Sequence, residues 1–252
     1  MHVAELWRHP VKSMQGESLN EAVIEESGLA GDRRVGIVDC DTGKVLTARR
    51  VPPLLLARAW LADGGVGIEL PDGQVLEGPS AHADEILSKW VGRPVELVHA
   101  ESVDPGVGEF FQDATNDDSA VLSWTMPAGR FVDALPLLII TTASLRQGEA
   151  LHGDGAWETR RFRPNIVVDV EGDGWVEDGW CGRRVRIGET VLMPAAQCER
   201  CTMVTRPQPG LERDLDIFKT LAREHGSKFG VWTAVQTPGV VRVGDKVVLL
   251  GR

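Results

Sequence analysis

The chain has 252 residues, of which 42% are hydrophobic and 25% are charged, so it can bury the core of an ordinary globular protein. Its formal net charge of −10 argues against broad nucleic-acid binding, which needs an extended basic surface. Four cysteines do not make a disulfide framework at this length, and no apolar run approaches the roughly 20 residues that span a membrane. We therefore expect a cytoplasmic protein with free thiols that binds neither nucleic acid nor a membrane.

The first hundred residues are predicted to be rich in strands. Strand patterns occupy residues 2–8, 20–26, 35–39, 44–47, 54–61, 66–70 and 95–99. Residues 80–91 have helical spacing instead, with Ile86, Leu87 and Trp90 on one face. We predict a β-rich region with one helix up to about residue 100.

The segment 101–130 has a different character. It shows little periodicity and carries an acidic run at residues 113–118. We interpret it as a long loop or linker, and loops of this length are often functional.

The second half is predicted to contain further strands and two helices. Residues 135–140 favour a buried strand, and Thr141 or Thr142 can cap a short helix after it. Residues 211–225 are typical of an amphipathic helix that ends at Gly226. Further strands are predicted at residues 166–170, 183–187 and 190–194, and a final hairpin turns at residues 244–245. Because short strands outnumber helices, we expect a β-rich α+β fold with barrel-like architecture.

Cys198 and Cys201 form a C-x-x-C pair with Arg200 between them. The pair is half of a structural zinc site, but Cys40 and Cys181 are isolated and supply no second half. A redox dithiol normally lies at a helix N-terminus after a strand, whereas a polar loop follows here. Two buried structural cysteines are a third alternative. Neighbouring cations favour the thiolate, which is the form that binds metals.

Several basic residues lie in polar turns where they could bind an anion. Lys12 and Ser13 share an early turn, and Arg33 follows Asp32. The alternation in R-F-R-P-N predicts that Arg161 and Arg163 share one face at the mouth of a strand. Guanidinium groups bind phosphate with two parallel hydrogen bonds, although most single arginines are only surface charges.

Five segments, in chain order, resemble sequence elements of one known family. They are H-P-V-K-S at 9–13, G-D-R-R at 31–34 with V-L-T-A-R at 45–49, P-L-L-I-I-T-T-A-S-L at 136–145, R-F-R-P-N-I-V at 161–167 and C-E-R-C at 198–201. The chain thereby resembles the MOSC-domain family, which includes the C-terminal domain of molybdenum cofactor sulfurase and the mitochondrial amidoxime-reducing component. The likeness runs from about residue 2 to residue 250.

The resemblance implies a two-part chain with a molybdenum–molybdopterin cofactor between the parts. An N-terminal β-barrel-like domain at 1–100 and a linker at 101–130 would precede a MOSC domain at 131–252. By position, Cys201 matches the catalytic cysteine whose sulfur ligates molybdenum. The other residues that match cofactor-binding positions are Lys12, Ser13, Arg33, Asp133, Arg163, Asn165, Glu199 and Arg200. Ala134 and Leu135 depart from the small hydroxyl residues of the amidoxime reducers.

The resemblance also implies a reaction, namely reductive removal of oxygen from a small N-hydroxylated compound. Four cysteines are too few for an added iron–sulfur domain, so we expect a separate electron-transfer protein of the reductase, ferredoxin or cytochrome type. The family is also associated with pyridoxal phosphate binding. Two alternatives stay open: a sulfurtransferase or cofactor carrier that uses Cys201, and a zinc-stabilised β-domain without catalysis.

Overall fold

The computed structural model describes residues 1–103, 105–113, 118–153 and 155–251. It is a strand-rich α+β fold, which confirms the predicted class. The α-helices are α1 Ala81–Val91, α2 Thr142–His152, α3 Thr159–Phe162 and α4 Leu215–His225. Short 3-10 segments occupy Pro52–Leu56, Ala100–Ser102, Val176–Trp180 and Thr202–Thr205. Within these described ranges, no helix is long and apolar enough to cross a membrane.

The strands fall into two groups along the chain. Those of the first half are β1 His2–Arg8, β2 Glu17–Leu19, β3 Glu21–Glu25, β4 Gly28–Leu29, β5 Val35–Asp39, β6 Arg58–Ala62, β7 Gly65–Glu69, β8 Val75–Gly78, β9 Val95–His99, β10 Val107–Phe111 and β11 Val121–Thr125. Those of the second half are β12 Leu137–Thr141, β13 Ile166–Asp169, β14 Val185–Ile187, β15 Thr190–Glu199, β16 Lys228–Thr237, β17 Gly239–Arg242 and β18 Val247–Leu249.

The largest sheet has eight strands, in the order β18-β14-β15-β16-β12-β13-β1-β2. Its N-terminal strand β1 runs antiparallel to β13, with Leu6 opposite Ile166. Strand β12 runs parallel to β13, and all five of its residues are buried because the sheet is covered on both faces there. The beginning of the chain is therefore built into the sheet of the second half.

The rest of the first half packs around a separate apolar core. Strands β6, β7 and β8 form one sheet and β5 pairs with β9, while α1 covers buried Ile37, Leu54 and Ile68 through Leu87. Ser80 caps α1 by accepting a hydrogen bond from the Ala83 amide. This confirms the helix predicted at residues 80–91.

The segment predicted as a long loop contains a β-hairpin. Strands β10 and β11 pair antiparallel, with Phe110 opposite Leu122. A Cβ at Gly108 would lie 2.5 Å from the Trp124 ring, so this strand needs a glycine at that position. Of the acidic run, residues 114–117 lie outside the described residues.

Three further expectations were wrong in their details. Residues 44–47 were predicted to be a strand, but only isolated bridges form there at Val45, because β5 pairs with β9 instead. Residues 54–61 were predicted to be one strand, but the chain forms a 3-10 turn from Pro52 and starts β6 only at Arg58, because Pro52 and Pro53 have no amide hydrogen for a sheet. The strands around Gly244 were predicted to pair with each other. Instead β17 pairs with β3 and β18 pairs with β14.

Candidate functional site

A cavity of about 560 Å³ is lined by residues from both halves of the chain. The structure brings all nine residues singled out from the sequence to its wall. They are Lys12, Ser13, Arg33, Asp133, Arg163, Asn165, Glu199, Arg200 and Cys201. Residues that are up to 189 positions apart in sequence therefore meet at one place, although their roles stay predictions.

Backbone conformation distinguishes this cavity from the rest of the molecule. Ser13, Arg33 and Arg163 have φ values of 69°, 50° and 54°, in the left-handed region that residues with a Cβ rarely adopt. In the described part of the chain, Ser227 is the one other non-glycine residue with positive φ. Such strain collects at functional sites because the surrounding fold fixes side chains there in an otherwise unfavourable direction.

Arg163 is a buried cation that is repelled by Arg33 and attracted by Asp32 and Asp133 without a direct ion pair. Its side chain donates to the Met14 carbonyl, and no described carboxylate forms a salt bridge with it. Burial, together with the nearby charge of Arg33, lowers the pKa of Arg163 to about 9. Arg33 in turn donates to the Asp32 carboxylate at 2.5 Å and to the Arg163 carbonyl at 3.0 Å. The two guanidinium groups lie together and leave donors for an anion.

Lys12, Asp133 and Arg49 form an ionic network beside these arginines. Asp133 accepts from Lys12 Nζ at 2.6 Å and from Arg49 Nη2 at 2.5 Å. Burial lowers the pKa of Lys12 to about 8, although Asp133 opposes the shift. Burial alone would raise the pKa of Asp133, but the Arg49 and Lys12 charges hold it well below its usual range. Asp133 is therefore an ionised anchor for two cations.

Asn165 and Ser13 connect the cavity to the backbone. Asn165 is 1% exposed, and its side-chain oxygen accepts the Leu138 amide at 3.1 Å. Its side-chain nitrogen donates to the Trp7 carbonyl at 3.4 Å, which ties β1 to the start of β12. Ser13 Oγ accepts the Ala48 amide at 2.9 Å. These bonds fix the turns that carry Lys12 and Arg163.

The two cysteines of the C-x-x-C pair lie in different environments. Cys198 is 3% exposed at the end of β15, and burial raises the pKa of its thiol although Arg200 opposes this. Arg200 donates to the Cys198 sulfur at 2.9 Å and to the Phe162 carbonyl at 2.6 Å. Cys201 lies directly before the next 3-10 turn, is more exposed than Cys198, and lines the cavity together with Arg49.

Two family models match the chain and cover nearly all of it. The MOSC N-terminal beta barrel domain matches residues 1–113, and the MOSC domain matches residues 128–248. The chain belongs to the MOSC-domain family.

The chain is similar to curated proteins with two kinds of name. The chain is 28% identical to "Mitochondrial amidoxime-reducing component 1" from Mus musculus over 99% of its length and 82% of that protein. It is 27% identical to "Molybdenum cofactor sulfurase" from Oryza sativa subsp. japonica, over 82% of this chain and 28% of that protein. Among solved structures, the YUAD protein from Bacillus subtilis matches with a TM-score of 0.49 and 11% identity, covering 98% of this chain and 93% of that one.

Within this MOSC-type site, Arg161 was wrongly predicted to share a face with Arg163. Residues Thr159–Phe162 form a helical turn rather than a strand, so the alternation of an extended chain does not apply. The Arg161 side chain instead donates to the carbonyls of Ala156 and Glu212, each at 2.9 Å, and is absent from the cavity wall.

The cavity wall also contains residues to which the sequence pattern assigns no role, among them Arg49, Phe110, Phe111 and Trp124. Arg49 ends the T-A-R element, and the three aromatic residues lie in the segment predicted to be a loop. The alternation in V-G-E-F-F and V-L-S-W-T was the available signal for the hairpin.

The zinc alternative gains no third ligand at the cysteine pair. In the described ranges, the one group of three ligand atoms lies elsewhere, at His152, Asp214 and Asp216. There Trp157 Nε1 donates to His152 Nδ1 at 3.1 Å, which places the proton of a neutral ring on Nε2, the atom that faces Asp214. A metal at Nε2 would displace this proton. The proton of the neutral ring would then lie on Nδ1, which could no longer accept the hydrogen bond from Trp157.

Proposed function

We propose that this MOSC-family chain is a molybdenum-cofactor-dependent oxidoreductase that reduces N-hydroxylated compounds. The observation that carries the proposal is the pairing, in one cavity, of an accessible cysteine sulfur with Arg163, a buried cation that makes no salt bridge to a described carboxylate. A soft sulfur ligand suits molybdenum, and a guanidinium without a salt-bridge partner suits a phosphate. The donor set therefore fits a phosphorylated pterin that carries a metal.

Each residue has a role under this proposal. Cys201 would ligate molybdenum, and Arg33 and Arg163 would hold the phosphate with Lys12 as a further positive charge. The remaining cofactor contacts would come from Ser13, Asp133, Asn165, Glu199 and Arg200. Bound cofactor would supply two-electron redox chemistry, while the protein binds, orients and excludes water. On the hairpin side, Phe110, Phe111 and Trp124 provide an apolar wall that limits water in the cavity.

The overall reaction requires electrons and protons from outside the substrate. Removal of oxygen from R–NH–OH consumes two electrons and two protons and yields R–NH2 and water. With four cysteines in the chain, none paired in a disulfide, we assign the electron supply to a separate donor protein. A purified chain that turns over N-hydroxylated compounds with NADH alone would contradict this assignment.

The decisive experiment is elemental analysis of protein purified from a host that makes the cofactor. We expect molybdenum near one equivalent in the wild type and its loss in Cys201→Ala, because one ligand is removed. Cys40→Ala is the matched control, since Cys40 is exposed and lies outside the cavity. Molybdenum retained in Cys201→Ala, or zinc in its place in the wild type, would contradict the proposal.

A second candidate is a sulfurtransferase or cofactor carrier, which is favoured by the similarity to a protein named molybdenum cofactor sulfurase. Such a protein would carry a persulfide on Cys201. It should release cyanide-labile sulfur without bound metal, and Cys201→Ala should abolish that release while Cys40→Ala keeps it. Reductase turnover with a loaded cofactor and no labile sulfur would decide for the first candidate.

A further inference from the structure

His9 is almost completely buried, at 3% exposed, and contacts the two turns that carry Arg33 and Arg163. Its backbone amide donates to the Asp32 carboxylate at 2.7 Å, and its backbone carbonyl accepts the Arg33 amide at 2.8 Å. Its ring nitrogen Nε2 lies 3.3 Å from the carbonyl of Pro164, the residue directly after Arg163. One residue therefore touches the first turn through its backbone and the second turn through its side chain.

The surroundings of the His9 ring decide which nitrogen carries the proton. A carbonyl oxygen can only accept, so Nε2 must donate to Pro164. Nδ1 is buried and has no hydrogen-bond partner among the described residues, and a Cβ on Gly16 would stand 2.6 Å from it. A second proton on Nδ1 would be a buried donor without an acceptor. Burial, with the charges of Arg163 and Arg33, lowers the pKa of His9 well below its usual value, so the ring stays neutral.

Two consecutive carbonyls of the Arg163 turn are held by residues of the first half. Arg33 Nη2 donates to the Arg163 carbonyl at 3.0 Å, and His9 Nε2 donates to the carbonyl of the next residue, Pro164. Arg163 has a φ of 54°, a conformation that persists only where the surrounding structure fixes the turn. A neutral ring suits this position, because it supplies a donor without adding a third positive charge beside the two guanidinium groups.

We propose that His9 is a positioning residue for phosphate binding, whose ring donates to the Pro164 carbonyl and so holds the Arg163 guanidinium in place to share one phosphate with Arg33. The inference rests on the proposed function in one respect, that these two arginines hold the phosphate of the cofactor. Donors that are fixed in advance bind more tightly, because the ligand does not have to order them. Loss of the ring donor should therefore weaken phosphate binding although both guanidinium groups are still present.

The first test measures the affinity of the cofactor-free protein for inorganic phosphate by phosphorus NMR titration at one fixed pH. His9→Phe keeps a flat ring but removes the donor, and it leaves the two backbone hydrogen bonds of this position in place. We expect it to weaken phosphate binding about fivefold, the effect of losing one typical hydrogen bond. His9→Gln should stay within about twofold of wild type, because its side-chain amide also offers an N–H donor.

His82→Phe is the matched control, since His82 is exposed on α1 and lies outside the cavity. It should bind phosphate with the wild-type affinity. Three results would each overturn the inference: wild-type affinity in His9→Phe, equal weakening in His9→Gln, or the same weakening in His82→Phe.

A double-mutant cycle separates positioning from a general loss of structure. Arg163→Met should itself weaken phosphate binding, and adding His9→Phe should weaken it no further, because the side chain that His9 positions is then absent. A full further loss in the double variant would show that His9 acts elsewhere and would overturn the inference. If the wild type binds no phosphate, or if Arg163→Met binds it equally well, the phosphate site of the proposed function fails and the inference fails with it.

A last measurement needs no ligand and detects the hydrogen bond itself. Nitrogen NMR of protein with labelled histidines should show a neutral His9 ring at pH 7 with its proton on Nε2, and the signal is assigned by its loss in His9→Phe. A proton on Nδ1 would overturn the inference, because Nε2 could not then donate to Pro164.

Discussion

At the scale of single residues, the site contains cationic side chains that are buried, although burial normally disfavours a charged group. Arg163 and Lys12 are 6% and 7% exposed, and each has a pKa well below the usual value for its type. The sequence motifs predicted nine residues that line the cavity, but they also placed Arg161 there and left out the hairpin aromatics. The contact between Arg49 and Trp124 could not be predicted, because the two residues lie 75 positions apart and the contact depends on an unrecognised hairpin.

The lowered pKa of Lys12 predicts that the free energy of unfolding of the cofactor-free protein depends on pH. Its pKa is about 8 in the folded state and near 10.5 in the unfolded chain. Between these values the unfolded chain binds a proton that the folded state has released, so the free energy of unfolding attributable to Lys12 rises with pH. Urea unfolding at pH 7 to 10 should show wild type gaining stability relative to Lys12→Met as the pH increases.

A suitable control for this series is Lys89→Met. Lys89 lies on the exposed face of α1, paired with Glu85. Its stability difference from wild type should stay nearly constant over the same pH range. Parallel curves for Lys12→Met and wild type would contradict the expectation.

At the scale of elements, most helices and strands could be predicted because their signals are local. Ser80 and Asp214 are capping residues of α1 and α4. The sequence predicted that α4 starts at residue 211, but it starts at Leu215. Pairing between distant strands could not be predicted. Strand β17 joins β3 and strand β18 joins β14, a choice made by the packing of whole sheets.

For a glycine inside helix α2, we predict that replacement by alanine is destabilising, the opposite of what helix propensity alone indicates. Gly148 lies inside α2, where alanine would normally be favoured by about 1 kcal/mol. A Cβ there would stand 2.2 Å from the Trp157 ring, which stacks on Phe162 at 5.5 Å. We therefore expect Gly148→Ala to lower the free energy of unfolding by about 1–3 kcal/mol in urea titrations.

Gly179→Ala is the matched control for this substitution. Gly179 lies in a 3-10 turn with ordinary φ, and a Cβ there would meet nothing within 4 Å. Its effect should stay within about 0.5 kcal/mol. A stabilised Gly148→Ala variant would show that Trp157 can move aside at no cost.

At the scale of the whole molecule, strands of the first half pair with strands of the second half, and both halves line the cavity. Strand β1 belongs to the sheet of the second half, and β3 pairs with β17 near the C-terminus. The chain order of motifs predicted two parts with a site between them. It could not show this crossing of the strands, because no local signal records which strand a distant partner will choose.

This connectivity predicts that the second half does not fold alone. A fragment of residues 131–252 would leave β13 without its neighbour β1, exposing the edge of a buried sheet. We expect the fragment to lack a cooperative thermal transition by circular dichroism, whereas the full chain has one. Co-expression with residues 1–130 should restore the transition. A fragment that melts cooperatively by itself would contradict the interdependence of the halves.

The pairing of Leu6 with Ile166 also has a consequence for biosynthesis. A ribosome adds about 5–20 residues per second, so the first strand waits roughly 10–30 s for its partner to emerge. The segment with Cys201 and strand β16, which runs to Thr237, come later still. The cavity therefore closes only after β16 has emerged, and any cofactor must be loaded after that point.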